Sequence, residues 1–346
     1  MTARVEPLLT TWGRRWLTVP VALLLGASAV AAAPLWAVVG LAWDALAGEP
    51  RTRPRTRALA FFALYLACEA AGLLAAGFLW AATLGGRIGG PQRWREANAE
   101  LQRRWSNALF HGSRRIFSMS VSTEGLALAE EAPFLLFARH ASVADTVLAA
   151  AFVANPRRLL LRYVLKRELL WDPCLDVVGR RLPNAFVRRR GPGLDSEVAA
   201  VAGLAKDLDG RSGVLIYPEG KRFSDPRRDA AVAALGERGD TVLARIAGTF
   251  RNVLPPKLRG PLALLDAAPG VDVVLLEHTG FEGAASFPEF WRGALVGGML
   301  RVRLRRFAAS QVPAEGRDVW LYERWAEMDR WISDAQDGAA DGRSRP

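Results

Sequence analysis

Histidine, lysine and cysteine are all scarce in this 346-residue chain. The two cysteines, Cys68 and Cys174, form neither a disulfide framework nor the Cys/His spacing of a zinc site. No metal is therefore expected, and a reducing compartment is the simplest setting. The three histidines are His111, His140 and His278, which leaves few candidates for an imidazole base. Lysine occurs only as Lys166, Lys206, Lys221 and Lys257, so the formal charge of +11 is carried almost entirely by arginine. Arginine and alanine are abundant throughout, which makes any single arginine a weak signal. No internal repeat or low-complexity block is present. Base-stacking and groove-reading elements are also missing, which argues against nucleic acid as the partner of the positive charge. What the chain does have is 51% hydrophobic residues beside that charge. An anionic lipid surface accounts for both.

Charge vanishes entirely from Leu17 to Trp43, a run of 27 residues. At about 1.5 Å per residue this exceeds the roughly 20 residues that a bilayer core requires. Trp16, Trp36 and Trp43 supply interfacial anchors. A second run, Ala58 to Leu84, holds one charge, Glu69, and the short segment between the runs contains Pro50 and Pro54. Residues 1–90 are thus expected to form a membrane hairpin with helices at about 17–43 and 58–84. Arg14 and Arg15 before an Ala-rich apolar run imitate a signal peptide, but the apolar stretch continues past any cleavage site. The arginines of the outer flanks favour both termini in the cytoplasm, hence the inner membrane with the rest of the chain on its cytoplasmic face. A hairpin dipping into one leaflet satisfies the same counts. For Glu69 the simpler reading is a neutral carboxyl bonded across the hairpin, and the functional one a polar group in a lipid-access path.

Residues 91–117 place Trp94, Ala97, Leu101, Trp105, Ala108 and Leu109 at helical spacing among arginines. This is a basic amphipathic linker helix, suited to a membrane surface or to a protein core. Beyond it, short apolar runs alternate with helical stretches. Strands are expected at 134–137, 159–164, 185–187, 214–217, 271–276 and 300–307. Helices are expected at 143–153, 195–208 and 226–247. The alternation predicts an α/β domain over 118–336, with a Gly- and Asp-rich disordered tail at 337–346.

Two stretches carry chemistry. In Phe134-Leu-Leu-Phe-Ala-Arg-His140-Ala-Ser-Val-Ala-Asp145, a buried strand runs into a helix. Residues five apart sit about 140° apart on a helix, so the two side chains meet only if His140 lies in the turn before it. Ser142 is a plausible N-cap. Asp145 would then fix the imidazole tautomer and leave the second ring nitrogen as a base. The same Ser-x-x-Asp spacing is equally a capping-box variant. In Tyr217-Pro218-Glu219-Gly220-Lys221-Arg222, a strand ends in a turn followed by two cations, a setting that suits a phosphate.

Together and in this order, the two stretches resemble the glycerolipid acyltransferase family that includes the 1-acylglycerol-3-phosphate acyltransferases. His140 and Asp145 match its His-x4-Asp motif, and residues 217–222 match Phe-Pro-Glu-Gly-Thr-Arg, with Lys221 in place of threonine. Phe186-Val187-Arg188-Arg189 fits its second motif and puts the family arginine at Arg189. Val273 to Glu277 stands where its proline-containing strand would be, without the proline. The resemblance covers roughly residues 115–310. It implies a mixed sheet flanked by helices and His140 and Asp145 as catalytic residues. It also implies Arg189, Glu219, Gly220 and Arg222 around the acceptor. The reaction implied is transfer of a fatty acyl group from acyl-CoA or acyl-carrier protein, as co-substrate and without a cofactor, to a lysophospholipid. The leading acceptor is 1-acyl-sn-glycerol-3-phosphate. Another lysophospholipid, glycerol-3-phosphate, or a non-catalytic membrane adaptor on the same fold are the alternatives.

Overall fold

The computed structural model describes residues 6–142, 144–188, 193–284 and 286–341. Three long helices precede the sheet: α1 (Leu8–Leu46), α2 (Pro54–Ala82) and α3 (Gly90–Ile116). Both α1 and α2 are long and apolar enough to cross a membrane by length and composition. They pack against each other through glycine. A Cβ on Gly26 would sit 2.4 Å from that of Ala70, and one on Gly40 would sit 2.8 Å from the Thr56 backbone.

The pair is not separate from the rest of the chain. Near the start of α1, Arg14 and Arg15 donate to the fully buried Asp176 at 3.0 and 2.9 Å. Along α2, Phe61 and Phe62 meet Phe290 edge-on, Tyr65 donates to Asp172, and Arg181 donates to the Ala76 carbonyl. The bond expected across the hairpin from Glu69 is replaced by packing against the α/β domain, where the Cys174 thiol donates to its carbonyl oxygen at 3.3 Å. Glu69 is buried there because α2 lies between α1 and the domain.

Seven strands form one mixed sheet: β1 (Ser120–Glu124), β2 (Phe134–Ala138), β3 (Leu160–Lys166), β4 (Ala185–Val187), β5 (Ser212–Ile216), β6 (Asp272–Thr279) and β7 (Met299–Phe307). Their order is β1-β7-β6-β2-β5-β3-β4. The five strands from β6 to β4 are mutually parallel, and β7 runs antiparallel to β6. Parallel strands need both faces covered, which is why β2 and β5 read as continuous apolar runs and are buried at every residue. One face packs Leu135, Phe137, Val214 and Leu275 against Leu264, Trp325 and Met328. The other packs Phe134, Leu136, Leu215 and Leu276 against Phe110, Leu148 and Phe152.

The expected helices are corrected in detail. Residues 143–153 are not one α-helix: Ala144–Val147 is a 3-10 turn and Ala149–Ala154 a π-helical turn. The stretch 226–247 breaks into Asp225–Glu237 and Thr241–Ala247 at Gly239, whose φ of +78° ends the first helix. A final helix spans Arg317–Asp341, so the tail expected to be disordered from 337 is helical as far as 341, and the rest of it lies outside the described residues.

Candidate active site

Parallel strands deliver their C-terminal ends to one edge of the sheet, where ligands of open α/β folds bind. Here β2 ends into Arg139 and His140, β5 into Tyr217 to Arg222, and β6 into His278 and Thr279. The two sequence motifs therefore lie side by side because β2 and β5 are hydrogen-bonded neighbours. The turns that follow are joined directly: the Phe223 N–H donates to the His140 carbonyl at 3.2 Å.

His140 sits in the turn before the 3-10 segment, and its Nδ1 lies 3.0 Å from Asp145 Oδ1. Asp145 also caps the backbone. Its Oδ2 accepts from the N–H groups of Ala141 at 2.6 Å and Ser142 at 2.8 Å, while Ser142 Oγ accepts from Ala144 N–H at 3.0 Å. The capping and histidine-orienting readings are thus both realised, one on each carboxylate oxygen. The tight 3-10 turn is what lets Asp145 reach backward over both. Burial opposes charge on Asp145, but hydrogen bonds from His140 and His278 outweigh it and hold the carboxyl well below its ordinary range. An ionised Asp145 requires the hydrogen of a neutral His140 to sit on Nδ1. Nε2 is then the nitrogen able to take a proton. The His140 side chain is 13% exposed, enough for a reactant to reach it, whereas Asp145 is fully enclosed.

Glu219 is buried, and its carboxylate is spent on the backbone. Oε1 accepts from His140 N–H at 2.9 Å and Oε2 from Leu254 N–H at 3.0 Å. Burial pushes the carboxyl up to about 8, against the pull of those N–H groups and of Arg139. Gly220 closes the turn by donating to the Tyr217 carbonyl at 3.0 Å. Its φ of +69° favours glycine, and a Cβ there would meet the Lys257 side chain at 3.2 Å. Arg222 is partly buried two residues beyond. Arg189 lies outside the described residues, but Arg188 follows β4 on the same edge of the sheet. Among the described residues no cluster of histidine, cysteine and carboxylates suits a metal.

Three neighbours of the site were not singled out by the sequence. Arg139, fully buried, donates to the carbonyls of His278 and Asn252 and to Glu282. Lys257 lies over Gly220. His278 approaches Asp145 from β6. Only His278 left a usable trace, as a titratable residue that follows Glu277 at the end of the apolar run Val273–Leu276.

Residues 120–258 match the family model described as Acyltransferase. No curated protein matches the chain. Among solved structures, the 1-acyl-sn-glycerophosphate (LPA) acyltransferase PlsC from Thermotoga maritima is similar, at 16% identity. That likeness covers 77% of this chain and 97% of that one, with a TM-score of 0.45. Residues 120–258, which hold His140, Asp145 and the Glu219–Arg222 turn, are an acyltransferase-family domain, carried here behind two long apolar helices.

Proposed function

We propose that the protein transfers a fatty acyl group from the thioester of acyl-CoA or acyl-carrier protein to the free hydroxyl of 1-acyl-sn-glycerol-3-phosphate, giving phosphatidic acid. The observation that carries this reading is the 3.0 Å His140–Asp145 contact at the C-terminal edge of the parallel strands, inside an acyltransferase-family domain. A hydroxyl is a weak nucleophile at neutral pH, and a positioned base is typically worth 10²–10⁴-fold. His140 Nε2 takes the hydroxyl proton as the oxygen attacks the thioester carbon. The C–S bond then breaks, and the departing thiolate recovers that proton from His140. Asp145 holds the ring and offsets the transient imidazolium charge. Glu219 keeps the His140 turn in place through its backbone bond. Arg222, with Arg189, binds the acceptor's phosphate, for which guanidinium geometry is suited.

The acceptor is a lipid, and the helix pair supplies the bilayer contact on the cytoplasmic face. Leu24, Leu35, Val38 and Leu46 of α1 are exposed apolar side chains with no protein cover. At 39 residues α1 is about 58 Å long, nearly twice a hydrocarbon core. From Pro54, beside Gly293, to Ala76, beside Arg181, α2 rides on the α/β domain for about 33 Å. Crossing the bilayer would draw the polar side chains of Asp172, Asp176 and Arg181 to the depth of the lipid core. The pair therefore lies along one leaflet, with the outer face of α1 immersed.

The test is acyl transfer by the purified full-length protein in detergent, given labelled acyl-CoA, acyl-carrier protein thioester and a panel of lysolipids. Labelled phosphatidic acid is the expected product. Transfer only to lysolipids without a phosphomonoester overturns the acceptor, and no transfer from either donor overturns the reaction.

A further inference from the structure

β6 reads Asp-Val-Val-Leu-Leu-Glu-His-Thr, and its two adjacent ionisable residues point to opposite faces of the sheet. Glu277 is explained by Arg303 and Arg305 of β7, each 2.5 Å away. His278 faces the other way, fully buried, with Phe281 as a ring neighbour. Its Nε2 lies 3.3 Å from the Arg139 carbonyl oxygen and 3.5 Å from Asp145 Oδ2. Both are acceptors, so Nε2 must carry the hydrogen and share it between them. Nδ1 is buried with no hydrogen-bond partner among the described residues. An orphaned ring nitrogen is unfavourable in a strand of valine and leucine, where an apolar side chain would leave none. Such local inconsistency belongs where function demands it.

We infer that His278 is a positioning residue for the reaction. Its Nε2–H, steadied by the Arg139 carbonyl that accepts from it, faces the Oδ2 side of Asp145, so that Oδ1 stays directed at His140 Nδ1. The inference rests on the reading of His140 and Asp145 as the acid–base pair. Both contacts to Nε2 are long, so the effect is moderate and falls on the chemical step rather than on substrate binding.

Three substitutions separate this role from packing. His278→Gln places an amide N–H where Nε2 stands, His278→Asn places it at the partnerless Nδ1 position, and His278→Leu removes it. Acyl transfer from acyl-CoA to 1-acyl-glycerol-3-phosphate is measured on full-length protein in detergent, with His140→Ala beside it. His278→Asn and His278→Leu are expected to lose about tenfold in kcat with both KM values unchanged, and His278→Gln to stay within about threefold of the parent. Wild-type kcat in His278→Asn, or equal losses in His278→Gln and His278→Asn, overturns the inference. The Gln and Asn pair decides alone if His278→Leu does not fold. Activity remaining in His140→Ala sinks the acid–base reading itself, which is a separate result.

Discussion

At the scale of residues, one carboxylate does two jobs. Asp145 caps Ala141 and Ser142 with Oδ2 and orients His140 with Oδ1. His140→Ala is expected to abolish turnover while the fold survives, and Asp145→Asn to lose most of it. The double variant should be little worse than His140→Ala, because residues acting as a unit are not additive. Near-normal rates in Asp145→Asn would leave capping as its whole role. Arg222→Ala is expected to raise the KM for the lysophosphatidate. Losing a hydrogen bond to a charged group costs about 1.5–3 kcal/mol, roughly ten- to hundredfold. Arg222→Lys recovers only part, and the exposed Arg245 serves as control. A rise in the donor's KM alone would assign the bound phosphate to the coenzyme.

Arg139 and Glu282 give a prediction in pH. Burial pushes Glu282 up, but the Arg139 guanidinium outweighs it and brings the carboxyl to about 2, below its ordinary 4.5. A carboxylate lowered on folding contributes stability that is present above about 4.5 and lost as pH falls through about 2. Glu282→Gln should therefore melt below the parent at neutral pH, with the gap closing between those two values in a pH series of thermal melts. A constant gap would mean that the ion pair is not its source.

At the scale of elements, glycine sets how closely α1 and α2 approach. A side chain at Gly26 meets Ala70 Cβ at 2.4 Å and the Leu66 carbonyl oxygen at 2.8 Å, whereas one at Gly13 meets nothing within 4 Å. Gly26→Leu is expected to destabilise the pair by about 1–3 kcal/mol through overpacking. Gly13→Leu, on the same helix, should be neutral or slightly stabilising. Equal melting temperatures for the two in detergent would show that the close approach is not maintained. Helix periodicity and apolar runs were enough to locate α1, α2 and α3. The π-helical turn at Ala149–Ala154 was not legible, because Ala, Phe and Val fit an α-helix as readily. It follows from how the preceding turn is held by Asp145 and from packing of Phe152 against Phe110.

At the scale of the whole molecule, helices and sheet are one body joined at Asp176, Asp172 and Arg181. The full chain is expected to resist extraction by high salt and by carbonate and to need detergent. Release by salt alone would make the +11 charge the tether and the apolar face of α1 incidental. The sequence by itself determined what depends on chain-local pattern: the two apolar helices, the α/β alternation, the turn that carries His140 and the cationic turn after Glu219. Contacts between elements far apart in the chain were decided only by the tertiary structure. Parallel pairing of β2 with β5 and β6 brings residues 72 to 139 positions apart to one edge, as the contacts of Asp145 with Tyr217 and of Arg139 with His278 show. The same packing turns Glu69 toward Cys174 and directs His278 at Asp145. No local pattern encodes which buried side chain a strand presents to a distant loop, because that depends on strand order and on the faces each layer covers.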